Sequence, residues 1–429
     1  MFRLKENETN VKTELIAGIT TFFTMIYIVV VNPSMLSASG VPLDQVFIAT
    51  IIAIVIGTLW MSLFANYPLV IGPSIGLNAY FTYSIVVSSE GNIDYLTGFA
   101  AVFVSGIIFV LLSLTPLREK LILAIPENLK RAIAAGIGLF IAFLGLRMGN
   151  IIVDSESNLV MLGDLTSPGV LLTLFGLFVT VILIVRNVSG ALFIGMFTTG
   201  IVATLTNQLH IEKVVAVPHL PEGILVWNPI EAIGQVISYG LYGVVFSFIL
   251  VTLFDTTGTM IGVAKQAGLM KNGKLPRARK ALLADSVATT FGAMFGTSPT
   301  TAFIESSAGV AAGGRTGLTS LTVAILFVAA SFFGPLVSAI SGVSAITSPI
   351  LIIVGTLMIG SIKEIEWEKF EEAFPAFLIM PLTSSIATGI AFGFISYPIL
   401  KIAKGEAKKV HPLLYVFAIL FAFQLTFLS

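Results

Sequence analysis

The chain alternates between long apolar runs and short polar interruptions. Runs long enough to cross a bilayer fall at roughly 14–33, 45–65, 69–88, 95–114, 130–148, 168–186, 189–206, 240–264, 279–296, 298–313, 316–335, 343–361, 374–386 and 387–403. A crossing helix needs about 20 mostly apolar residues, somewhat fewer when its ends are buried in protein. The pattern predicts an all-α polytopic membrane protein with about 14 transmembrane segments. A further apolar stretch at about 412–428 is either an extra crossing or a helix lying in the interface. The opening "MFRLKENETNVKTELIAGITTFF" carries charge through Glu14, and no small-residue cleavage site follows it. The first apolar run is therefore expected to stay as a span.

The polar interruptions orient these spans. Lys and Arg concentrate on the cytoplasmic side of a membrane protein. Basic residues cluster at Arg3, Lys5 and Lys12, at Arg118/Lys120/Lys130/Arg131, and at Lys265/Lys271/Lys274/Arg277/Arg279/Lys280. The intervening loops near 34–44, 88–94 and 149–167 carry acids but no Lys or Arg. That alternation predicts a cytoplasmic N-terminus. Lys recurs in both 363–372 and 401–409, so two short spans, 374–386 and 387–403, fit between them better than one long helix.

A proline-containing segment, 207–239, divides the chain into halves of seven predicted spans each. "GPSIGLNAYFTYS" (Gly72–Ser84) in the third span is echoed by "GTSPTTAFIESSAG" (Gly296–Gly309) in the tenth. "GITTFFTMIYIVV" (Gly18–Val30) in the first is echoed by "LVTLFDTTGTMIGV" (Leu250–Val263) in the eighth. With an odd number of spans per half, the second copy is inverted. Inverted repeats with Gly/Pro-interrupted segments at matching positions point to a secondary transporter. Proline lacks an N–H and disfavours helix before itself, so Pro73 and Pro299 predict segments that start extended and turn helical partway across. Bare backbone inside a bilayer is tolerated only where it is buried in protein or lines a cavity. Two half-helices meeting there would offer free N–H groups and two positive dipole ends to a polar solute. The ordinary alternative is that Pro and Gly are simply more frequent in membrane helices.

Composition sharpens this picture. Of 429 residues, 56% are hydrophobic and 11% charged, with mean hydropathy +0.99. A water-soluble chain would carry about 25% charged residues. Formal net charge is zero, so nothing suggests a nucleic-acid partner. Cysteine is absent, which excludes thiol chemistry and Cys-type metal sites. His210, His219 and His411 all fall in predicted loops, so neither a histidine metal site nor a Ser-His-Asp triad is expected in the membrane. No HExxH motif occurs, and "GGRTG" (Gly313–Gly317) lacks phosphate-loop spacing. No cofactor, no metal and no enzyme activity are expected.

Against that background the intramembrane acids stand out. Glu305 lies among small, hydroxyl and apolar residues, and Asp255 sits inside an apolar run. Intramembrane acids are costly and usually functional. Scarce water disfavours the charged form of a carboxylate, so its protonation can change during a transport cycle. These two are the candidate substrate and proton ligands. A buried acid bonded to a hydroxyl or a helix start is the bland alternative. Asn78 is a third candidate, though Asn is also a good helix cap. Phe303 and Tyr80 could sandwich an aromatic ring or merely pack. Ile304, Ala79 and Thr24 complete the candidate substrate lining. Thr20, Thr21, Thr256, Thr259, Thr300 and Thr301 are nearby on the same segments, although threonine often bonds its own helix backbone. Asp285 reads as an interfacial or salt-bridged residue near Lys280, and Arg315 as an anchor at a span end.

"GPSIGLNAYF", "LFDTTGTMIGVA", "ALLADS" and "GTSPTTAFIESSAGVAAGGRTGLTS" together resemble the AzgA-like purine permeases, nucleobase–cation symporters with the uracil/xanthine permease fold. The resemblance runs from "TELIAGITTFFTMIYIVVVNP" to "GIAFGFISYPILK". It implies two inverted seven-span repeats. Their division would be 1–128 (core, first repeat), 129–206 (gate, first repeat), 207–239 (extracellular linker with an interfacial helix), 240–340 (core, second repeat), 341–403 (gate, second repeat) and 404–429 (C-terminal apolar segment). Substrate would sit between core and gate against the extended pieces of the third and tenth spans. The family's acid in span 8 and Glu in span 10 match Asp255 and Glu305, and its span-3 Asn matches Asn78. Where the uracil branch has a His one turn after the span-8 acid, this chain has Thr259, as fits the purine branch. The implied activity is import of a purine nucleobase with protons across a bacterial inner membrane. Guanine or hypoxanthine is favoured and adenine is the alternative. The resemblance is compatible with a homodimer, whose interface cannot be read from one sequence. An anion carrier of similar architecture would want a positive site, which two central acids oppose. A cation channel fits the proline-interrupted repeats less well. An intramembrane hydrolase lacks its nucleophile–base pair.

Overall fold

A computed structural model of the chain describes residues 2–115, 118, 121, 124–156, 158–270, 275–369, 379–380, 382–383 and 385–427. The expected span at 374–386 lies largely outside these residues.

The first span is two helices, α1 (Val11–Met25) and α2 (Ile28–Leu36), rather than one rod. Asn10 caps α1 by accepting the Thr13 N–H at 3.0 Å. The break at Ile26–Tyr27 was not legible in the apolar pattern, because both residues continue it. Next come α3 (Leu43–Trp60), the strand β1 (Ile71–Pro73) and the short helix α4 (Ile75–Ala79), extended by wide turns over Tyr80–Val86. The first half continues with α5 (Tyr95–Leu114), α6 (Glu127–Met148), α7 (Pro168–Val185) and α8 (Ala191–Leu205). A surface hairpin of β2 (Ile152–Ser155) and β3 (Leu159–Leu162) joins α6 to α7. Asp94 caps α5 through the Thr97 N–H, and Pro168 occupies a first-turn position of α7 where its missing N–H costs nothing.

The segment between the halves contains one helix, α9 (Pro229–Ser238). The second half then supplies α10 (Tyr242–Gln266), α11 (Ala278–Phe295), the strand β4 (Thr300–Ala302) and the short helix α12 (Ser306–Ala311). After these come α13 (Gly317–Ala330), α14 (Gly334–Ser341), α15 (Ser344–Ile359), α16 (Ile386–Ala403) and α17 (Pro412–Phe427). Among the described residues, nine helical stretches are long and apolar enough to cross a membrane. The third and tenth spans are absent from that set because each is part strand, part short helix, as Pro73 and Pro299 predict.

Elements of the two halves interleave. α11 packs against α3 and α5, and α1 against α13 and α12. Separately, α6 lies along α15, while α7 packs on α8 and α15. Backbone approach explains the closeness of α6 and α15. A Cβ built on Gly355 would stand 2.4 Å from the Ala142 nitrogen, and one on Gly138 would stand 2.7 Å from the Gly355 oxygen. Small residues allow membrane helices to pack this tightly where no hydrophobic driving force separates helix from lipid.

Two buried ion and cap arrangements hold the first group together. The Asp285 carboxylate receives both terminal nitrogens of Arg118, at 2.9 and 3.3 Å, and both residues are sealed from solvent. Arg118 also donates to Ser113 Oγ at 2.7 Å and to the Leu282 carbonyl, and lies over the Phe109 ring. Asp285 is salt-bridged, one of the two readings its sequence allowed, but it is buried and its partner is Arg118 rather than nearby Lys280. Arg118, expected in a basic cluster at the membrane surface, is buried instead. Sequence proximity suggested Lys280; the pairing that forms spans 167 positions. Glu14, also fully buried, caps α13 from α1. It accepts the N–H groups of Arg315, Thr316 and Thr319 at 2.9–3.3 Å and the Thr319 hydroxyl at 2.6 Å.

Candidate functional site

β1 and β4 cross in the middle of the molecule and pair antiparallel, with Ile71 opposite Ala302, Gly72 opposite Thr301 and Pro73 opposite Thr300. The opposite directions follow from the inversion of one half relative to the other. Both strands are wholly buried. Their pairing is extended by Ser74 N–H to the Pro299 carbonyl at 3.0 Å and Phe303 N–H to the Val70 carbonyl at 2.9 Å. Extended backbone at membrane depth is thus satisfied within the protein.

Each strand delivers a carboxylate neighbourhood where it turns into helix. Beyond β4, Glu305 stands at the cap position of α12 with Oε1 accepting the Tyr27 hydroxyl at 2.6 Å. Tyr27 is the residue at which the first span breaks. Beyond β1, the Ser74 hydroxyl at the start of α4 donates to Asp255 Oδ2 at 3.3 Å. Asp255 projects from α10, with the Thr301 hydroxyl also beside it. The neighbouring Thr256 hydroxyl accepts the Ala302 N–H at 3.3 Å, which docks α10 onto β4. Asp255 and Glu305 come within electrostatic reach of each other. Both keep partial exposure, and neither has a cationic partner among the described residues.

The other candidates separate into two sets. Thr24 is half-buried on α1 and donates to the Thr21 carbonyl at 2.7 Å, with the Glu305 carbonyl at 3.5 Å. Ile304 is 66% exposed between the strand and α12. Both lie next to Glu305, Thr24 through the Glu305 backbone carbonyl and Ile304 as its chain neighbour. Asn78 and Ala79 are fully buried. The Asn78 carbonyl accepts the Ser298 hydroxyl, so this side chain ties α4 to the approach of β4. Phe303 packs over Gly72 and Tyr80 meets the Phe248 ring edge-on at 5.3 Å, leaving both rings buried. Thr20 and Thr21 bond their own helix backbone, and Thr300 bonds the Asp285 carbonyl at 2.8 Å. Among the described residues, no three His, Asp or Glu side chains gather as a metal cluster.

Sequence reading missed Tyr27 and Ser74. Tyr27 lies inside the quoted first-span motif as its single aromatic hydroxyl, which was the available signal. Ser74 follows Pro73 directly, at the position where a helix cap is favoured.

Residues 12–396 match the model of the permease family Xan_ur_permease. The chain belongs to that family. A guanine/hypoxanthine permease, PbuO of Bacillus subtilis, is 66% identical over 99% of this chain and 99% of its own length. An adenine permease, AdeP of Escherichia coli, is 40% identical over 100% of this chain and 96% of its own. Among solved structures, the transmembrane domain of the cyanobacterial bicarbonate transporter BicA superposes with a TM-score of 0.62 over 90% of this chain and 97% of that one. At 16% identity, this last likeness shows the fold alone. The protein is thus a multi-pass membrane permease and not an enzyme, and its fold is the inverted-repeat fold expected from the sequence.

Proposed function

We propose that this permease imports a purine nucleobase, guanine or hypoxanthine, together with protons across the cytoplasmic membrane, with its N-terminus in the cytoplasm. The observation that carries the reading is the convergence of Asp255 and Glu305 at the β1–β4 crossing, each held by a hydroxyl rather than a cation. Tyr27 occupies one oxygen of Glu305 and leaves the other able to accept from a purine ring N–H or exocyclic amine. Asp255, with no basic partner among the described residues, is free to gain and lose a proton as substrate arrives and leaves. The preference for guanine and hypoxanthine rests on the 66% identity to PbuO, and the adenine permease at 40% supports adenine as the second reading.

The transport step is proposed to be movement of a core, residues 1–128 and 240–340, against a gate, residues 129–206 and 341–403. Packing of α3, α5 and α11 in one group and of α6, α7, α8 and α15 in another supports that division. α6 meets the site directly, with Ile137 against Gly76 of α4. Sliding of α6 past α4 would open and close access to the two carboxylates.

The deciding measurement is uptake of labelled hypoxanthine into proteoliposomes, with and without an inward proton gradient, against unlabelled guanine, adenine, xanthine and uracil. Gradient-driven uptake blocked by guanine is expected. Block by adenine alone would transfer the assignment to adenine, gradient-independent uptake would remove the proton, and no purine uptake would overturn the reading.

A further inference from the structure

A polar cavity of about 900 Å³, lined by neither Asp255 nor Glu305, lies at the basic end of the core. Arg3, Arg277, Lys280 and Arg315 line it, against two acids, Glu6 and Glu8. The lining therefore carries an excess of positive charge, four against two. Glu6 is already engaged by Arg3 at 3.5 Å, which leaves Arg277, Lys280 and Arg315 facing the cavity with one acid between them.

These cations are placed by the fold rather than scattered along one loop. Arg277 starts α11 in a left-handed conformation (φ 56°), with its guanidinium 5.0 Å over the Tyr67 ring. The Tyr67 hydroxyl donates to the Pro276 carbonyl and pins the same turn. Lys280 is held one turn on, where its carbonyl accepts the Trp60 indole N–H at 2.9 Å. Arg315 is fixed from behind through Glu14 and donates to the Val310 and Gly314 carbonyls at 2.7 Å.

One shoulder of the cavity is apolar. Leu63 and Phe64 line it and are exposed, and the Phe64 ring lies 4.6 Å from that of Trp60. A soluble anion has no use for that shoulder. A phospholipid does: its phosphate would meet the cations while its acyl chains ran along Leu63, Phe64 and Trp60. Aromatic side chains at the membrane–water boundary and basic pockets between spans are the ordinary means of holding anionic lipid.

We propose that this cavity is a binding site for the head group of an anionic phospholipid of the leaflet facing the cytoplasm, given the orientation proposed above. Its walls come from the N-terminal segment, the end of α3, the end of α10 and the start of α11. A bound head group would therefore clamp elements of both repeats at the inner end of the core.

The test uses the full-length protein with Trp227→Phe and Trp367→Phe, so that Trp60 is the only tryptophan. Phosphatidylglycerol and phosphatidylcholine with brominated acyl chains are compared as quenchers of Trp60 fluorescence in otherwise identical vesicles. Stronger quenching by the phosphatidylglycerol is expected. Arg277→Gln combined with Lys280→Gln should weaken its apparent binding about 30-fold, at roughly a factor of five for each charge. Lys280→Gln alone, at an exposed position, should give the single step and serves if the double variant does not fold. Equal quenching by both lipids, or unchanged binding in the variants, would overturn the proposal. Relief of quenching by millimolar inorganic phosphate would also overturn it, in favour of a soluble-anion site. The readout is independent of transport, so it stands or falls separately from the purine reading.

Discussion

Tyr27 and Glu305, 278 positions apart, share a 2.6 Å hydrogen bond. It links the break in the first span to the start of the tenth span's helix, and so joins the two repeats at the proposed site. A hydrogen bond to a charged group contributes about 1.5–3 kcal/mol. Tyr27→Phe keeps the ring and removes the bond. The expected result is a roughly 10- to 100-fold loss in kcat/KM for purine uptake, with the protein still folded. Uptake kinetics on Tyr27→Phe at normal expression decide it; unchanged kinetics would make the bond incidental.

Asp255 is expected to separate coupling from binding. Asp255→Asn keeps the size and the Ser74 contact but cannot be ionised. It should lose accumulation of purine against a gradient while retaining exchange of internal for external substrate. Counterflow and gradient-driven uptake in the same vesicles measure the two properties. Continued concentrative uptake by the variant would assign the proton elsewhere.

The buried Arg118–Asp285 pair makes a prediction about stability. Removing one partner leaves an uncompensated charge, at a cost of about 3–5 kcal/mol, whereas replacing both by apolar residues is often nearly neutral. Arg118→Met and Asp285→Leu should each lower the melting temperature sharply in detergent. The double variant should recover most of that loss. If it melts no higher than the worse single variant, the pair is not acting as a closed unit.

Glu14→Ala should destabilise the contact between α1 and α13. Three backbone N–H groups and the Thr319 hydroxyl lose their acceptor. Loss of a helix cap costs about 0.5–2 kcal/mol, and the buried donors add to it. Hydrogen exchange at residues 315–319 should accelerate first, ahead of the remainder of α13. Unchanged protection there would mean that another acceptor replaces the carboxylate.

The sequence by itself determined the class and much of the plan. Long uncharged runs have no stable place in water, so the membrane assignment needed no tertiary information. Pro73 and Pro299 marked the third and tenth spans as part extended, because proline's missing N–H and its effect on the preceding residue are local. Asp255 and Glu305 were legible for a similar reason, since a carboxylate in an apolar run is conspicuous wherever the run ends up.

Tertiary structure alone decided the partners. Tyr27 was one more aromatic residue in an apolar stretch until the break at Ile26–Tyr27 brought its hydroxyl to Glu305. Arg118 looked like a surface cation and Asp285 like a neighbour of Lys280 until folding sealed them together. Asn78, Phe303 and Tyr80 stood beside the acids in the sequence motifs, yet packing turned them inward while Ile304 stayed exposed. Hydrogen bonds and ion pairs between distant segments depend on which faces meet across the two repeats. Apolar periodicity is nearly silent about that in a membrane helix, where lipid-facing and protein-facing sides are equally hydrophobic.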